Sequence, residues 1–381
     1  MKSSFIGQRQ LFDIPLDVAY FDCATISPLP KASLEAYVIG IGRELRPWNF
    51  KSSSFFDDAE TCRATAASLI CAAADDVAII PGAAYGAAVA AANIPIARHQ
   101  EILVLDGQHT ANTYSWLKVA ASCGARVRTL KRPTGGDWTS VVLEALSSAT
   151  AVAALPHCHS SDGRPLDLVT IGKKLREQGA ALVVDATHSL GARFLDVREV
   201  QPDFLFSACY KWLLGPYATG ILYVAPKHQN GVCIEEPGLN RADSSNFAGN
   251  TAHLENYLQG ARRYDVSGKG NFGLLPALEA SLKLIGAIGI KQIEEFLANT
   301  SRAIVGELLA LKFPFPSAPQ AHGHYVSIEC VPGANDQLIA AMANYRVYTS
   351  IRGNWMRVTP HIYNTLNDVD RLLQALRGAI R

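Results

Sequence analysis

What this sequence lacks narrows its class quickly. It has no charge imbalance: 35 Lys and Arg stand against 34 Asp and Glu, for a formal charge of +1, and no basic stripe gathers on any segment. Nucleic-acid binding rests on cations clustered against phosphate, so that partner class is excluded. None of its eight cysteines forms a CxxC, and eight scattered thiols in a 381-residue chain read as reduced residues rather than a disulfide framework. His157-Cys158-His159 has no second ligand pair at zinc spacing, so no metal site is expected. The nearest approach to a membrane span is residues 78–97. It is interrupted by Pro81, Gly82, Gly86, Asn93 and Pro95, and its alanines contribute little transfer energy. The first residues, MKSSFIGQRQLFDIPLD, carry no apolar secretory core, so the expected location is the cytoplasm and no membrane partner is expected. Repeats, G-x-G-x-x-G after the first strands, G-x-x-x-x-G-K-[ST] and a nucleophile elbow are also missing.

What is present is a well-buried globular pattern, with 49% hydrophobic and 18% charged residues. A chain of this length suits two lobes. Short apolar runs alternate with helical stretches: VAII before Pro81, then EILVL (101–105), ARVRTL (125–130), AVAAL (151–155), ALVVD (181–185), FLFSA (204–208) and GILYV (220–224). Between two of these runs, Leu168, Ile171 and Leu175 share a helical face that Gly179 terminates. Alternation of this kind predicts a mostly parallel sheet between helices, with ligands beyond the carboxyl ends of the strands. After Gly260 the texture changes to a helical stretch around 274–296, a short α+β pattern and a final amphipathic helix begun by Thr365 and Asp368. The expected organisation is an N-terminal segment over residues 1–20 packing on a small domain, a large domain over 21–259, and a small C-terminal domain over 260–381.

Two residues carry the chemistry. Asp185 closes the run ALVVD and is followed by a small polar turn, which aims a carboxylate into the crevice. Lys211 follows FLFSA inside CYKWLLGP, between Tyr210 and Trp212. One reading is an amine snorkelling past a stem packed on Trp212. The other is a desolvated amine able to attack an aldehyde. Together, a lysine that forms a Schiff base and a carboxylate that keeps a pyridine nitrogen protonated fit pyridoxal 5'-phosphate (PLP), whose ring is an electron sink.

The stretch VVDATHSLGARFLDVREVQPDFLFSACYKWLLGPYATGILYV resembles the cofactor signature of the class V aminotransferase superfamily of fold-type I PLP enzymes, which includes cysteine desulfurases, kynureninases and isopenicillin N epimerase-like proteins. The resemblance runs from YFDCATISPLP to MRVTPHIYNT and implies the fold-type I architecture, a large domain with a seven-stranded sheet and a smaller α+β domain. It implies Asp185 at the pyridine nitrogen, Lys211 as the Schiff-base lysine and His188 near the phenolic oxygen. His109 is implied as the stacking residue, and Gly82, Ala83, Ala84 and Tyr210 as the phosphate site. Relatives often carry Gly-Thr-Thr where this chain has Gly-Ala-Ala, so backbone amides must do more here. Arg357 is the implied carboxylate clamp, with Arg352 a possible second basic contact and Ala24 and Asn112 further substrate contacts. The segment GARRYDVSGKGNF, including Gly268, resembles one that reaches a partner subunit's phosphate, so a homodimer with shared active sites is implied.

The reaction is less legible. A desulfurase needs a cysteine on a mobile loop before the Arg357 segment, and residues 345–358 contain none. A small amino acid as substrate and a lyase cleaving C–S bonds by β-elimination is the leading reading. Aminotransferase or epimerase is the alternative within the superfamily, and a nucleotide- or PLP-binding module without catalysis is the alternative outside it.

Overall fold

The computed structural model describes residues 7–133, 137–247, 254–310, 316–330 and 335–379. The seven apolar runs form one sheet: β1 (Val77–Ile80), β2 (Glu101–Leu105), β3 (Arg126–Leu130), β4 (Thr150–Pro156), β5 (Ala181–Asp185), β6 (Phe204–Ala208) and β7 (Gly220–Val224). Their order across the sheet is β1-β7-β6-β5-β4-β2-β3. Strands β2 to β6 pair in parallel, while β7 is antiparallel to both β6 and β1. Every residue of β1, β2, β4, β6 and β7 is buried. Both faces are covered by helices, so the strands are continuous apolar runs rather than alternating ones. Two large cores flank the sheet, one including Leu103, Leu155 and Val184, the other Ile102, Val104 and Phe206.

The smaller sheet is antiparallel and made of β8 (Gln320–His322), β9 (Tyr325–Glu329), β10 (Ser350–Arg352) and β11 (Trp355–Val358), in the order β10-β11-β9-β8. Its core draws on Val326, Ile328, Met356 and Val358, and also on Ala19 and Phe21 from near the start of the chain. The N-terminal segment reaches this lobe directly: Ala19 pairs with Val347, and Arg9 donates to Asp368 at 2.9 and 3.0 Å. Residues 1–6 of that segment lie outside the described residues.

The change of texture at Gly260 is not where the two cores part. Helix 274–288 contributes Leu275, Leu278, Leu282 and Ile285 to the large core, packed on helices Lys31–Gly42 and Asp57–Leu69. The division falls inside the following helix, Ile290–Ala310, whose Leu297 belongs to the large core and whose Ile304 belongs to the small one. A helix with apolar residues along its length can serve two cores, and composition alone does not show the handover. Gly289, with φ of 90°, separates these two helices. Among the described residues no helix is long and apolar enough to cross a membrane.

Candidate active site

Six strands, all but β7, run the same way and deliver their carboxyl ends to one edge of the sheet. From there Gly82 follows β1, His109 follows β2, Asp185 ends β5, and Lys211 stands three residues beyond β6. Lys211 is only 4% exposed, which removes the snorkelling reading, and the neighbouring Trp212 is fully buried. Its Nζ lies 3.0 Å from Nε2 of His188, whose Nδ1 lies 2.7 Å from the Tyr325 hydroxyl. Burial lowers the Lys211 pKa to about 8, against the opposing pull of the Asp185 carboxylate. Burial, then the Lys211 charge, holds His188 well below 6.5, so its ring is neutral with one donor and one acceptor nitrogen.

Asp185 is 4% exposed, and its Oδ1 accepts from the Thr187 amide at 2.9 Å. Its other oxygen accepts no hydrogen bond from the described residues. A cavity of about 330 Å³ lies between the strand ends, lined by Gly82, Ala83, Ala84, His109, Thr187, Tyr210, Lys211 and Tyr217, among others. The helix Ala83–Asn93 opens into it with no side-chain cap at Gly82, and a β-carbon at Gly82 would meet nothing within 4 Å. Free amides at a helix start, a buried carboxylate with an unused oxygen and a desolvated amine are the three contacts a phosphate, a protonated pyridine and an aldehyde require. The residues present therefore fit PLP.

A second cavity, of about 620 Å³, adjoins the first through His109, Tyr210, Lys211 and Tyr217. Ala24, His188, Arg352 and Arg357 line it. Arg357, 2% exposed, is heavily engaged. Nε and Nη2 donate to Ser350 Oγ at 3.0 and 2.7 Å, Nη2 also donates to Thr25 Oγ1 at 2.9 Å, and Nη1 donates to the Ser160 carbonyl at 3.0 Å. Four of its five N–H groups are thus used, and a carboxylate that takes two must displace one of these contacts.

Three expected residues line neither cavity: Asp185, described above, Asn112 and Gly268. Asn112 is 1% exposed, and its Oδ1 accepts from Trp116 Nε1 at 3.3 Å; it fixes the turn below the cavity rather than lining it. The helical start that continues from His109 turns it inward, which local sequence does not reveal. Gly268 lines neither cavity of its own chain. Residues the sequence reading passed over are Thr25, Ser160, Tyr217 and Tyr325. Of these only Tyr217 carried a nearby signal, its place a few residues after Lys211. Among the described residues no group of three His, Cys, Asp or Glu side chains converges to hold a metal.

The family model described as aminotransferase class-V matches residues 20–372. A probable cysteine desulfurase of Pyrococcus abyssi is 23% identical, over 97% of this chain and 96% of its own. Isopenicillin N epimerase of Streptomyces clavuligerus is 24% identical, over 72% of this chain and 73% of its own. Among solved structures, the cystine C–S lyase C-DES with its product cysteine persulfide has a TM-score of 0.83 at 19% identity, covering 95% of this chain and 97% of that one. The apo cysteine desulfurase of Thermococcus onnurineus NA1 has a TM-score of 0.82 at 21% identity, covering 96% and 95%. At these identities the structural likeness establishes the fold.

Proposed function

The chain belongs to the aminotransferase class-V family, whose cofactor is PLP, and we propose on that premise that it is a lyase cleaving a C–S bond in a small amino acid by β-elimination. The observation that carries this reading is a desolvated lysine beside a neutral histidine in cavities whose walls, among the described residues, include no cysteine. A persulfide-forming desulfurase would need such a thiol; Cys23, next to Ala24, and Cys158, whose Sγ donates to the His188 carbonyl at 3.2 Å, are both buried and line neither cavity.

In this reading Lys211 is the amine that holds the cofactor's aldehyde and the base that moves the proton at the substrate α-carbon. Asp185 holds the pyridine nitrogen, the amides of Gly82, Ala83 and Ala84 with Tyr210 hold the phosphate, and the His109 ring covers the cofactor. His188 faces Lys211 and the phenolic oxygen, and Arg357 takes the substrate carboxylate beside Ala24. When bound, the cofactor supplies an electron sink for negative charge at the α-carbon. The net change takes a cysteine thioether and water to a thiol, pyruvate and ammonia: the β C–S bond breaks, the sulfur leaves with its electron pair, and the proton drawn from the α-carbon balances it.

A second copy of this chain is the proposed partner. Ile39, Leu45 and Trp48, on the helix Lys31–Gly42 and the turns that follow it, are 74%, 80% and 77% exposed, and large apolar side chains left in water are what a second copy would cover. In the dimer, Gly268 would reach the partner's phosphate site.

The test is to incubate the PLP-loaded protein with L-cysteine and with cysteine thioethers and assay pyruvate and free thiol. Release of both in equal amounts supports the lyase. Half-conversion to pyridoxamine phosphate with alanine or glutamate would instead make it an aminotransferase, and inversion at the α-carbon an epimerase.

A further inference from the structure

The wall of the larger cavity is electrically one-sided. Among the described residues its charged side chains are Lys211, Arg352 and Arg357, and no Asp or Glu lines it. With Lys211 engaged by the cofactor, two guanidinium groups remain; Arg357 has Asp22 3.7 Å away, whereas Arg352 has no carboxylate in ion-pair range among the described residues. They are presented together by the hairpin: Ser350 pairs with Arg357 and Arg352 with Trp355 across β10 and β11, so both arginines stand on the same face. Both also reach the same hydroxyl, Thr25 Oγ1, Arg357 Nη2 at 2.9 Å and Arg352 Nη2 at 3.4 Å.

The two differ in how they are held. Arg357 is buried among Ser350, Thr25 and Ser160, with Asp22 3.7 Å away. Arg352 is exposed, and its hydrogen bonds go only to Thr25 and to the Ile351 carbonyl, with no carboxylate in ion-pair range among the described residues. Two like charges at one hydroxyl repel each other, and an anion between or beside them relieves that. A volume of about 620 Å³ on the substrate side also exceeds what a three-carbon amino acid fills.

We propose that the substrate is an amino acid carrying a second anionic group, and that Arg352 is the residue that selects for it. The assignment rests on the amino-acid reading above and sharpens it: in a β-elimination the second anion sits on the leaving group, as in a cysteine thioether or disulfide that ends in a carboxylate. Arg357 then holds the α-carboxylate and Arg352 the distal one.

The test separates binding from chemistry. Calorimetric titration of the PLP-loaded protein with succinate and with butyrate compares a dianion with a monoanion of equal chain length, and neither reacts. Succinate should bind about ten- to a hundredfold more tightly, the range for one added charged hydrogen-bonding contact. Arg352→Gln should erase that preference, and Arg352→Lys should keep part of it, because the charge survives and the planar fork does not. In turnover, R352Q should raise the KM for S-carboxymethyl-L-cysteine at least about tenfold more than that for S-methyl-L-cysteine. Equal binding of succinate and butyrate by the unmodified protein, or an undiminished preference in R352Q, overturns the assignment. If the preference holds and S-carboxymethyl-L-cysteine yields no pyruvate, the lyase reading fails and the specificity stands.

Discussion

The Nδ1 of His188 and the phenol oxygen of Tyr325 are 2.7 Å apart, both groups are buried, and the contact ties the loop after β5 to a strand of the small sheet. Because the imidazole is neutral, what happens at one nitrogen fixes the other. When Tyr325 donates to Nδ1, the ring proton is on Nε2 and faces Lys211; when Nδ1 donates, Nε2 accepts from Lys211. Tyr325 is a positioning residue on this view. Tyr325→Phe should destabilise the protein by about 1–3 kcal/mol, since it leaves a buried ring nitrogen unsatisfied. It should also shift the pH at which the bound cofactor's visible band changes, which a purely structural contact would not do. Denaturant unfolding and a spectral pH titration check the two effects.

Lys211 titrates at about 8, lowered first by burial. Only the neutral amine attacks an aldehyde, so the rate at which the apoprotein takes up PLP should be flat above pH 8 and fall about tenfold per unit below it. The same shift works on stability: between about pH 8 and the ordinary lysine range the unfolded chain binds the extra proton, so the apoprotein gains stability as pH rises there. Lys211→Ala should remove both effects and leave no pyridoxyl group on the protein after borohydride. Stopped-flow absorbance and mass spectrometry measure this.

Asp185 keeps its Thr187 amide contact through one oxygen and has the other unused. Asp185→Asn conserves the shape and deletes the charge. Thermal stability should change little, while turnover falls by roughly a hundred- to a thousandfold, the range for losing one preorganised charge at the reacting centre. A turnover within threefold of the parent would show that no pyridine nitrogen depends on this carboxylate.

Gly163 has φ of 75°, and a β-carbon there would sit 2.3 Å from the Tyr325 side chain. Gly163→Ala should cost about 2–4 kcal/mol by combining a left-handed backbone with overpacking. In a Tyr325→Ala background the clash with the ring atoms is relieved while the contact with the retained β-carbon and the backbone part remain, so the cost of Gly163→Ala should fall only in part and the two substitutions are non-additive. Urea unfolding of the four proteins in this cycle gives the coupling.

Ile39 and Trp48 are among the exposed apolar side chains proposed to meet a second copy. Ile39→Glu with Trp48→Glu should convert a dimer to a monomer in sedimentation velocity, because two buried charges would be unpaired at the interface. A monomeric parent protein removes the shared-site role of Gly268 with it.

Much of this molecule was legible because the signals are local. Strands buried on both faces must be short apolar runs, and 101–105, 181–185, 204–208 and 220–224 coincide with the strands read from sequence. Strand ends in such a sheet face one crevice, so Asp185 and Lys211 were legible from their positions after those runs. The substrate side was not. Tyr325 meets His188 across 137 residues, and Thr25 meets Arg357 across 332. Neither contact leaves a pattern in its own segment. Asn112 fails for the converse reason: its neighbours promised the cavity, and the turn after His109 rotated it onto Trp116. The sequence by itself determined the sheet, the cofactor end of the site and the absence of a cavity cysteine in the 345–358 segment, since each follows from the order of residues along one element. Only the tertiary structure decided which side chains of the small lobe and the N-terminal segment reach Lys211 and Arg357, because those distances depend on how two cores dock and not on any local periodicity.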